Sequence, residues 1–576
     1  MLVYTKISRF SQCATVFLIL LYAGCGLGGK PNRVSPEMKP VYNYLTAANA
    51  RIAGQSRAEF RSDLIFRDAK GNRISLLGGA ADAPSWALLD PAQDKTEGTS
   101  TERLYREYQL KSPEQPVVVA VIDGGVDVNH EDLKDLIWIN ERERDGTPGV
   151  DNDGNGYVDD VNGWNFLGNP NGKNVTTTSL EVTRELSGLL KKEASEGLSE
   201  SERVYLERVR KDYRERSDGY RTGYEKVHAR YLELDTALEV LRKQGLKEES
   251  SSAVSAIESN DPVVLEAKEL ALKYLKEGVT TAKLKKSMEW FRGPLDTYFN
   301  LDLKPSAIIG DDPERMDELG YGNPDVKTET AAHGTHVSGI IGALRENGIG
   351  MNGQANYIRI MAIRAVPDGD ERDKDVANGV RYAVDNGARI INMSFGKGYS
   401  PNQDYVEAAM RYAEAKGVLL VHAAGNDGQN IDVAPHFPVK PASAGHWIEV
   451  GASGEKKGDY LAASFSNYGQ KTVDLFAPGE DIYSAIPGDG YMSMSGTSMA
   501  APEVAGVAAL ILSQFPSLSA SELRELLMDS VTLYPNLQVI RPGTDTTVSF
   551  AALSVSGGIV NALSAYQRAL KRYGSQ

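Results

Sequence analysis

The chain has 576 residues, 41% of them hydrophobic and 24% charged, and a formal net charge of −15. These values exclude a wholly disordered or fibrous protein and leave material for more than one ordinary domain. The acidic balance argues against a general nucleic-acid binder, which needs a basic surface to displace counterions. Both cysteines, Cys13 and Cys25, lie near the N-terminus, so the rest of the chain has neither a disulfide nor a thiolate metal site.

Lys6 and Arg9 precede an apolar run from Ala14 to Ala23, and Gly24-Cys25-Gly26 follows. The run is about half the ~20 residues that a membrane-spanning helix needs, so 1–25 reads as an export signal peptide. Leu21-Tyr22-Ala23-Gly24-Cys25 resembles a bacterial lipoprotein box, in which the cysteine becomes the acylated first residue of the mature chain. Tyr22 departs from the Leu usual there, and an ordinary signal peptide with an incidental cysteine is the other reading. Residues 26–85 are polar, with a hairpin pattern from Leu64 to Leu76 around Gly71.

Strand and helix patterns alternate from Trp86 to Gly168 and again from Pro324 to Lys571. Between them the composition changes: 45 of the 120 residues in 181–300 are Asp, Glu, Lys or Arg. Apolar residues at Val209, Tyr213, Tyr220, Tyr224, Val227, Tyr231, Leu234, Leu238 and Leu241 recur at helical steps. Ser199 and Glu202 form a capping-box pattern, and Asn260-Asp261-Pro262 marks a second helix start. Residues 176–305 are therefore expected to be a helical insertion folded as an antiparallel hairpin. Gly219 and Gly223 weaken its first helix by about 1 kcal/mol each relative to Ala.

Four segments outside the insertion carry chemistry. Val117–Ile122 is an aliphatic run of a strand buried on both faces, and it ends in Asp123, a carboxylate costly to bury without partners. In open parallel sheets, ligand sites lie beyond such carboxyl ends, although an Asp there also serves as a turn cap. His333-Gly334-Thr335-His336 opens a helix of small residues. It lacks the Glu and the i+4 His of a zinc metalloprotease motif, so a metal is not the favoured reading. Val418–Ala424 is another buried strand, ending in Gly425-Asn426; the Asn is either a turn residue or a donor to an oxyanion. Ser498 stands at the start of an apolar helix after Gly496, as an N-cap or as a nucleophile beside free backbone N–H groups.

Taken together, in the order Asp123, His333, Asn426, Ser498, these segments resemble the subtilisin-like (subtilase, S8) serine peptidases. The segments carrying the resemblance are Val121–Gly125, His333–Val337 and Ser495–Pro502, and Ser554–Ala562 looks like the closing segment of bacterial members. The resemblance implies an α/β, three-layer fold with a mostly parallel central sheet and helices on both faces, plus the all-helical insertion. It implies peptidase parts at 86–175 and 306–571, with 26–85 open as a propeptide, an anchor linker or a subdomain. It further implies Ser498 as nucleophile, His333 as base and acid, Asp123 as the group orienting His333, and Asn426 as oxyanion donor. Ser394, Phe395 and Gly396 would bind substrate as a strand, with Ala424 and Gly425 lining the first specificity pocket. Gly124 departs from the hydroxyl residue that usually follows the Asp.

The implied function is an exported serine endopeptidase, either lipid-anchored at Cys25 in the cell envelope or secreted. It acts on protein or peptide substrates, with no nucleic-acid partner, no membrane contact beyond that anchor and no cofactor required for catalysis. The competing reading is a non-catalytic envelope scaffold that binds partners through the charged insertion. Asp151, Asp153, Asn155 and Asp159 place oxygens at calcium-loop positions, although position 12 is Asn162 and not a bidentate Glu. An acidic Gly-rich turn is the alternative there. Asp132 matches a family calcium ligand, with an atypical partner loop at 344–351.

Overall fold

The computed structural model describes residues 85–441 and 445–574; the signal segment, Cys25 and the hairpin expected at 64–76 lie outside the described residues. The strands in chain order are β1 (Val117–Asp123), β2 (Gly163–Asn165), β3 (Ile358–Arg364), β4 (Ile390–Met393), β5 (Leu419–Ala423), β6 (Trp447–Ser453), β7 (Leu475–Pro478), β8 (Ile482–Ile486), β9 (Gly490–Met494), β10 (Thr532–Leu533), β11 (Gln538–Ile540), β12 (Thr547–Ser549) and β13 (Gly558–Ile559). Helices α1 (Glu181–Ser195), α2 (Glu200–Lys243), α3 (Pro262–Lys276) and α4 (Thr281–Asp296) belong to the insertion. Helices α5 (Ala332–Gly342), α6 (Asp373–Asp385), α7 (Gln403–Ala415) and α8 (Thr497–Gln514) pack on the sheet.

The main sheet runs β10-β13-β7-β6-β5-β4-β1-β3-β2, with every neighbouring pair parallel except β10 with β13. β8 with β9 and β11 with β12 form separate antiparallel pairs. Alternation along β1 shows why its sequence is aliphatic throughout. Val119 and Val121 join the core under α5 and α8, whereas Ala120 and Ile122 join the core under α6 and α7. This is the expected three-layer α/β architecture. Helix α8 lies within the first of these cores, and its residues from Met499 to Ser513 are all buried. No described helix is long and apolar enough to cross a membrane.

The insertion is helical but is more than a hairpin. Glu202 Oε2 accepts the Ser199 N–H at 2.8 Å and Ser199 Oγ accepts the Glu202 N–H, the expected capping box. Gly245 (φ +94°) follows α2, and Asp261 caps α3 through the Val263 N–H at 2.9 Å. Gly278 (φ +72°) then divides the return into α3 and α4. Gly223 has a packing reason: a Cβ there would overlap the Phe291 ring. Residues 226–290 belong to one compact unit, with Leu234, Leu238, Leu241, Ala271 and Leu284 in its core. The sheet, α1 and the residues of α2 before 226 belong to the other unit.

Candidate active site

Asp123 ends β1 and is 2% exposed. One carboxylate oxygen accepts the Gly124 N–H at 2.7 Å, and both lie 2.9 Å from His333 Nδ1. A carboxylate only accepts, so Nδ1 carries the proton and Nε2 of the neutral ring is left as an acceptor. Helix α5 approaches this closely because its first turn holds Gly334: a Cβ there would overlap the Gly125 carbonyl oxygen and stand 3.1 Å from Asp123 Oδ1. Gly124 is explained in the same way, since a Cβ would stand 2.8 Å from the Thr330 carbonyl oxygen. The buried Arg364 guanidinium supports this turn from behind. Its Nε donates to the Gly124 carbonyl at 3.2 Å, and burial lowers its pKa to about 10. His336 takes no part: its Nε2 donates to the Met492 carbonyl at 3.0 Å, and burial pushes its pKa down to about 3.

Strands β4 and β1 are neighbours, with Met393 in register with Ile122. The next residues, Asp123 at the end of β1 and Ser394 just past β4, therefore sit side by side, at about the 4.8 Å spacing of adjacent strands. Ser498, at the start of α8, donates its hydroxyl to the Ser394 carbonyl at 3.1 Å, and Ser394 Oγ donates to the Ser498 carbonyl at 2.9 Å. The imidazole and the hydroxyl are thus anchored on adjacent strand ends. Asn426 Oδ1 accepts the Thr497 N–H at 2.8 Å and the Thr497 hydroxyl at 3.0 Å, which turns its NH2 group the other way. Asn426 Nδ2 and the Ser498 nitrogen lie 3.5 and 3.6 Å from the point where a Gly496 Cβ would sit. Asn426 Oδ1 lies 3.7 Å from the same point, so the amide stands beside the Ser498 nitrogen at a helix N-terminus, where the dipole favours negative charge.

The sequence profile of the subtilase family matches residues 114–552. The chain belongs to the subtilase family. It is 46% identical over 183 residues to a thermophilic serine proteinase of Bacillus sp. strain AK1, covering 32% of this chain and 43% of that one. It is 41% identical over 216 residues to a cell wall-associated protease of Bacillus subtilis strain 168, covering 36% and 22%. It is 39% identical over 207 residues to subtilisin DY of Bacillus licheniformis, covering 36% and 72%. The match thus spans less than half the length of the first two relatives.

The remaining expected residues of this subtilase fall along the same edge. Ser394, Phe395 and Gly396 continue from β4, and Ala424 and Gly425 (φ +99°) from β5. The Phe395 carbonyl accepts from His422 Nε2 at 2.9 Å, while His422 Nδ1 lies 2.9 Å from Glu449 Oε1. Gly425 N–H donates to the Thr497 hydroxyl at 3.1 Å, tying the segment after β5 to the start of α8. Sequence reading missed His436, Lys397 and Glu181, which adjoin this edge. Lys397 and Phe437 exchange backbone hydrogen bonds of 3.0 and 2.9 Å, fixing Gly396 against the segment that carries His436. An isolated Lys directly after Gly396 was the one available signal.

The acidic loop is regrouped relative to the sequence expectation. Asp153 stands with Glu143 and Asp160, their ligand oxygens all within 4.8 Å of one another. Asp151 instead accepts the Gly154 and Gly156 N–H groups at 2.7 and 2.8 Å, and Asp159 accepts the Gly149 N–H at 2.8 Å. Asn155 stays beside this group, its NH2 donating to Asp160 at 3.0 Å and to Asp153 at 3.3 Å. Glu143 lies too far upstream to belong to the loop pattern. Asp160 was within it but off the ligand positions; burial raises its pKa to about 6. The buried Asp132 meets the 344–351 loop, accepting from Asn347 Nδ2 at 2.6 Å and from the Met351 N–H at 3.3 Å.

Proposed function

We propose that this subtilase is an exported serine endopeptidase acting through Ser498, His333 and Asp123. The observation that carries the reading is His333 Nδ1 held 2.9 Å from both Asp123 oxygens, which leaves Nε2 as a base. The Ser498 hydroxyl rests on the Ser394 carbonyl in a bond worth about 1 kcal/mol net. The reading requires that rotation about χ1 exchange this bond for one to His333 Nε2. Ser498 Oγ then attacks the substrate carbonyl carbon as its proton passes to Nε2. The oxyanion is received by the Asn426 NH2 and the Ser498 N–H. Collapse breaks the C–N bond, His333 protonates the departing amine, and water cleaves the acyl-enzyme by the same path. Substrate lies as an added strand beside Ser394, Phe395 and Gly396.

The N-terminal signal pattern supports export, with Cys25 as the site of lipid anchoring. The relative named a cell wall-associated protease accords with an envelope location. Calcium is proposed as a structural ion at Glu143, Asp153 and Asp160. Three hard carboxylates converge there, and Asn140 Nδ2, which donates to both Asp153 and Asp160 at 2.9 Å, offers an amide oxygen on flipping.

A fluorophosphonate probe and a casein digest test the peptidase reading. The parent is expected to label and to cleave casein, and Ser498→Ala to do neither. A folded, mature parent that neither labels nor cleaves would overturn it in favour of the scaffold that binds partners through the insertion.

A further inference from the structure

Gly396, in the segment assigned to bind substrate as a strand, and Gly425, assigned to line the first specificity pocket, face a common object. A Cβ on Gly396 would overlap His436 Nε2, and a Cβ on Gly425 would stand 3.0 Å from that same atom and 3.1 Å from His436 Cε1. The imidazole edge of His436 is therefore inserted between the two backbone segments. A side chain on Gly396 would displace the ring, and one on Gly425 would meet both the ring and Asn467 Nδ2.

The ring is backed on its inner side. His422 is buried and its ring centroid lies 6.1 Å from that of His436, tilted by 37°. His422 itself is fixed, donating from Nε2 to the Phe395 carbonyl at 2.9 Å and pairing through Nδ1 with Glu449 at 2.9 Å. Glu449 in turn accepts from Trp447 Nε1 at 2.7 Å. The paired backbones of Lys397 and Phe437 hold the segment bearing His436 against Gly396. Burial, with the neighbouring His422, lowers the pKa of His436 to about 4, so at neutral pH the ring offers bulk and not positive charge.

We propose that His436 is the specificity-determining residue of this subtilase: it fills the space between Gly396 and Gly425 and restricts the substrate residue preceding the cleaved bond to a small side chain, Gly, Ala or Ser. The proposal rests on the peptidase reading above. Rejection is steric, because a long aliphatic or aromatic side chain would compete with the imidazole for the same volume.

The test compares kcat/KM for two peptides that differ only in having Ala or Phe before the cleaved bond, using the full mature chain. The ratio of the two cancels any difference in the fraction of active enzyme. The parent is expected to favour Ala by about 100-fold or more, and His436→Gly to shift the ratio toward Phe by about 10–200-fold, the range that pocket size commands. His436→Asn, intermediate in bulk, should give an intermediate ratio and covers the case in which the glycine variant does not fold. A parent that cleaves the Phe peptide as well as the Ala peptide, or a folded variant with the parent's ratio, would overturn the assignment while leaving the peptidase reading intact. A parent that neither cleaves nor labels with the phosphonate would overturn both.

Discussion

Lys397 Nζ lies 2.6 Å from Glu181 Oε2, and both side chains are buried although 216 positions separate them. Glu181 opens the first insertion helix, and Lys397 directly follows Gly396. The insertion base is therefore joined by an ion pair to the segment assigned to hold substrate. Asp373 Oδ1 at 2.7 Å and the Glu371 carbonyl at 2.8 Å complete the surroundings of the ammonium. Burial alone would raise the Glu181 pKa; Arg184 and Lys397 overcome that and hold it down to about 2.

Lys397→Met should destabilise the protein by about 3–5 kcal/mol, because it leaves buried carboxylates without their counter-charge. The double variant Lys397→Met with Glu181→Gln should recover part of the loss. Thermal unfolding measures both. Peptide KM should rise in the single variant as the segment after Gly396 loosens. Equal Tm values for the parent and Lys397→Met would refute the network's role.

A second prediction concerns pH. Glu503 is buried in α8, and burial raises its pKa to about 8 against only one opposing hydrogen bond, from Gln354. The folded state therefore keeps a proton that the unfolded chain releases near pH 4.5. Between about pH 4.5 and 8 the folded state binds more protons, so this group makes stability fall as pH rises, by up to about 1.4 kcal/mol per pH unit. Above pH 8 its contribution is flat. Glu503→Gln should remove that slope and leave the variant more stable than the parent at pH 9, as read from denaturant midpoints across the range. A variant no more stable than the parent at pH 9 would count against the assignment.

What the sequence made legible follows from what each pattern encodes. Asp123 and Ser498 were readable because a buried aliphatic strand and an apolar helix announce themselves locally, and the polar residue at each end then stands out. The sheet followed from the same runs, since burial on both faces demands continuous apolar residues. Gly124 looked like a defect in the sequence, and only the Thr330 carbonyl beside it explains the missing side chain. His436 and Glu181 gave no local signal because their roles come from segments distant in the chain. The insertion's division into several helices was hidden by a stripe that continues through α2, whereas Gly278 breaks the return only through its left-handed conformation.

Calcium provides a third prediction. If Glu143, Asp153 and Asp160 hold the ion, it stabilises the folded state by mass action, by about 2.7 kcal/mol at a hundredfold excess over Kd. Unfolding followed in millimolar calcium and then in chelator should show a corresponding fall in Tm. Asp153→Asn, which keeps the shape but removes one charge, should make the two curves approach each other. If calcium and chelator give the same curve for the parent, the ion has no place in this loop.

The last prediction separates the oxyanion donor from the fold around it. Asn426 has two roles to separate: its oxygen holds Thr497, and its NH2 is the oxyanion donor proposed above. Asn426→Ala removes both. Loss of the hydrogen bonds to Thr497 should cost about 1 kcal/mol of stability. Loss of the donor should cost about 10²–10³ in kcat, the magnitude already known for subtilisin, a relative of this chain. Ground-state binding depends on the donor far less, so KM for a good peptide should change little while kcat falls. Fluorophosphonate labelling of the variant should slow as well, since its phosphoryl oxygen uses the same donors. A variant that keeps the parent's kcat would show that the Ser498 N–H alone meets the oxyanion, and that Asn426 serves only to hold Thr497.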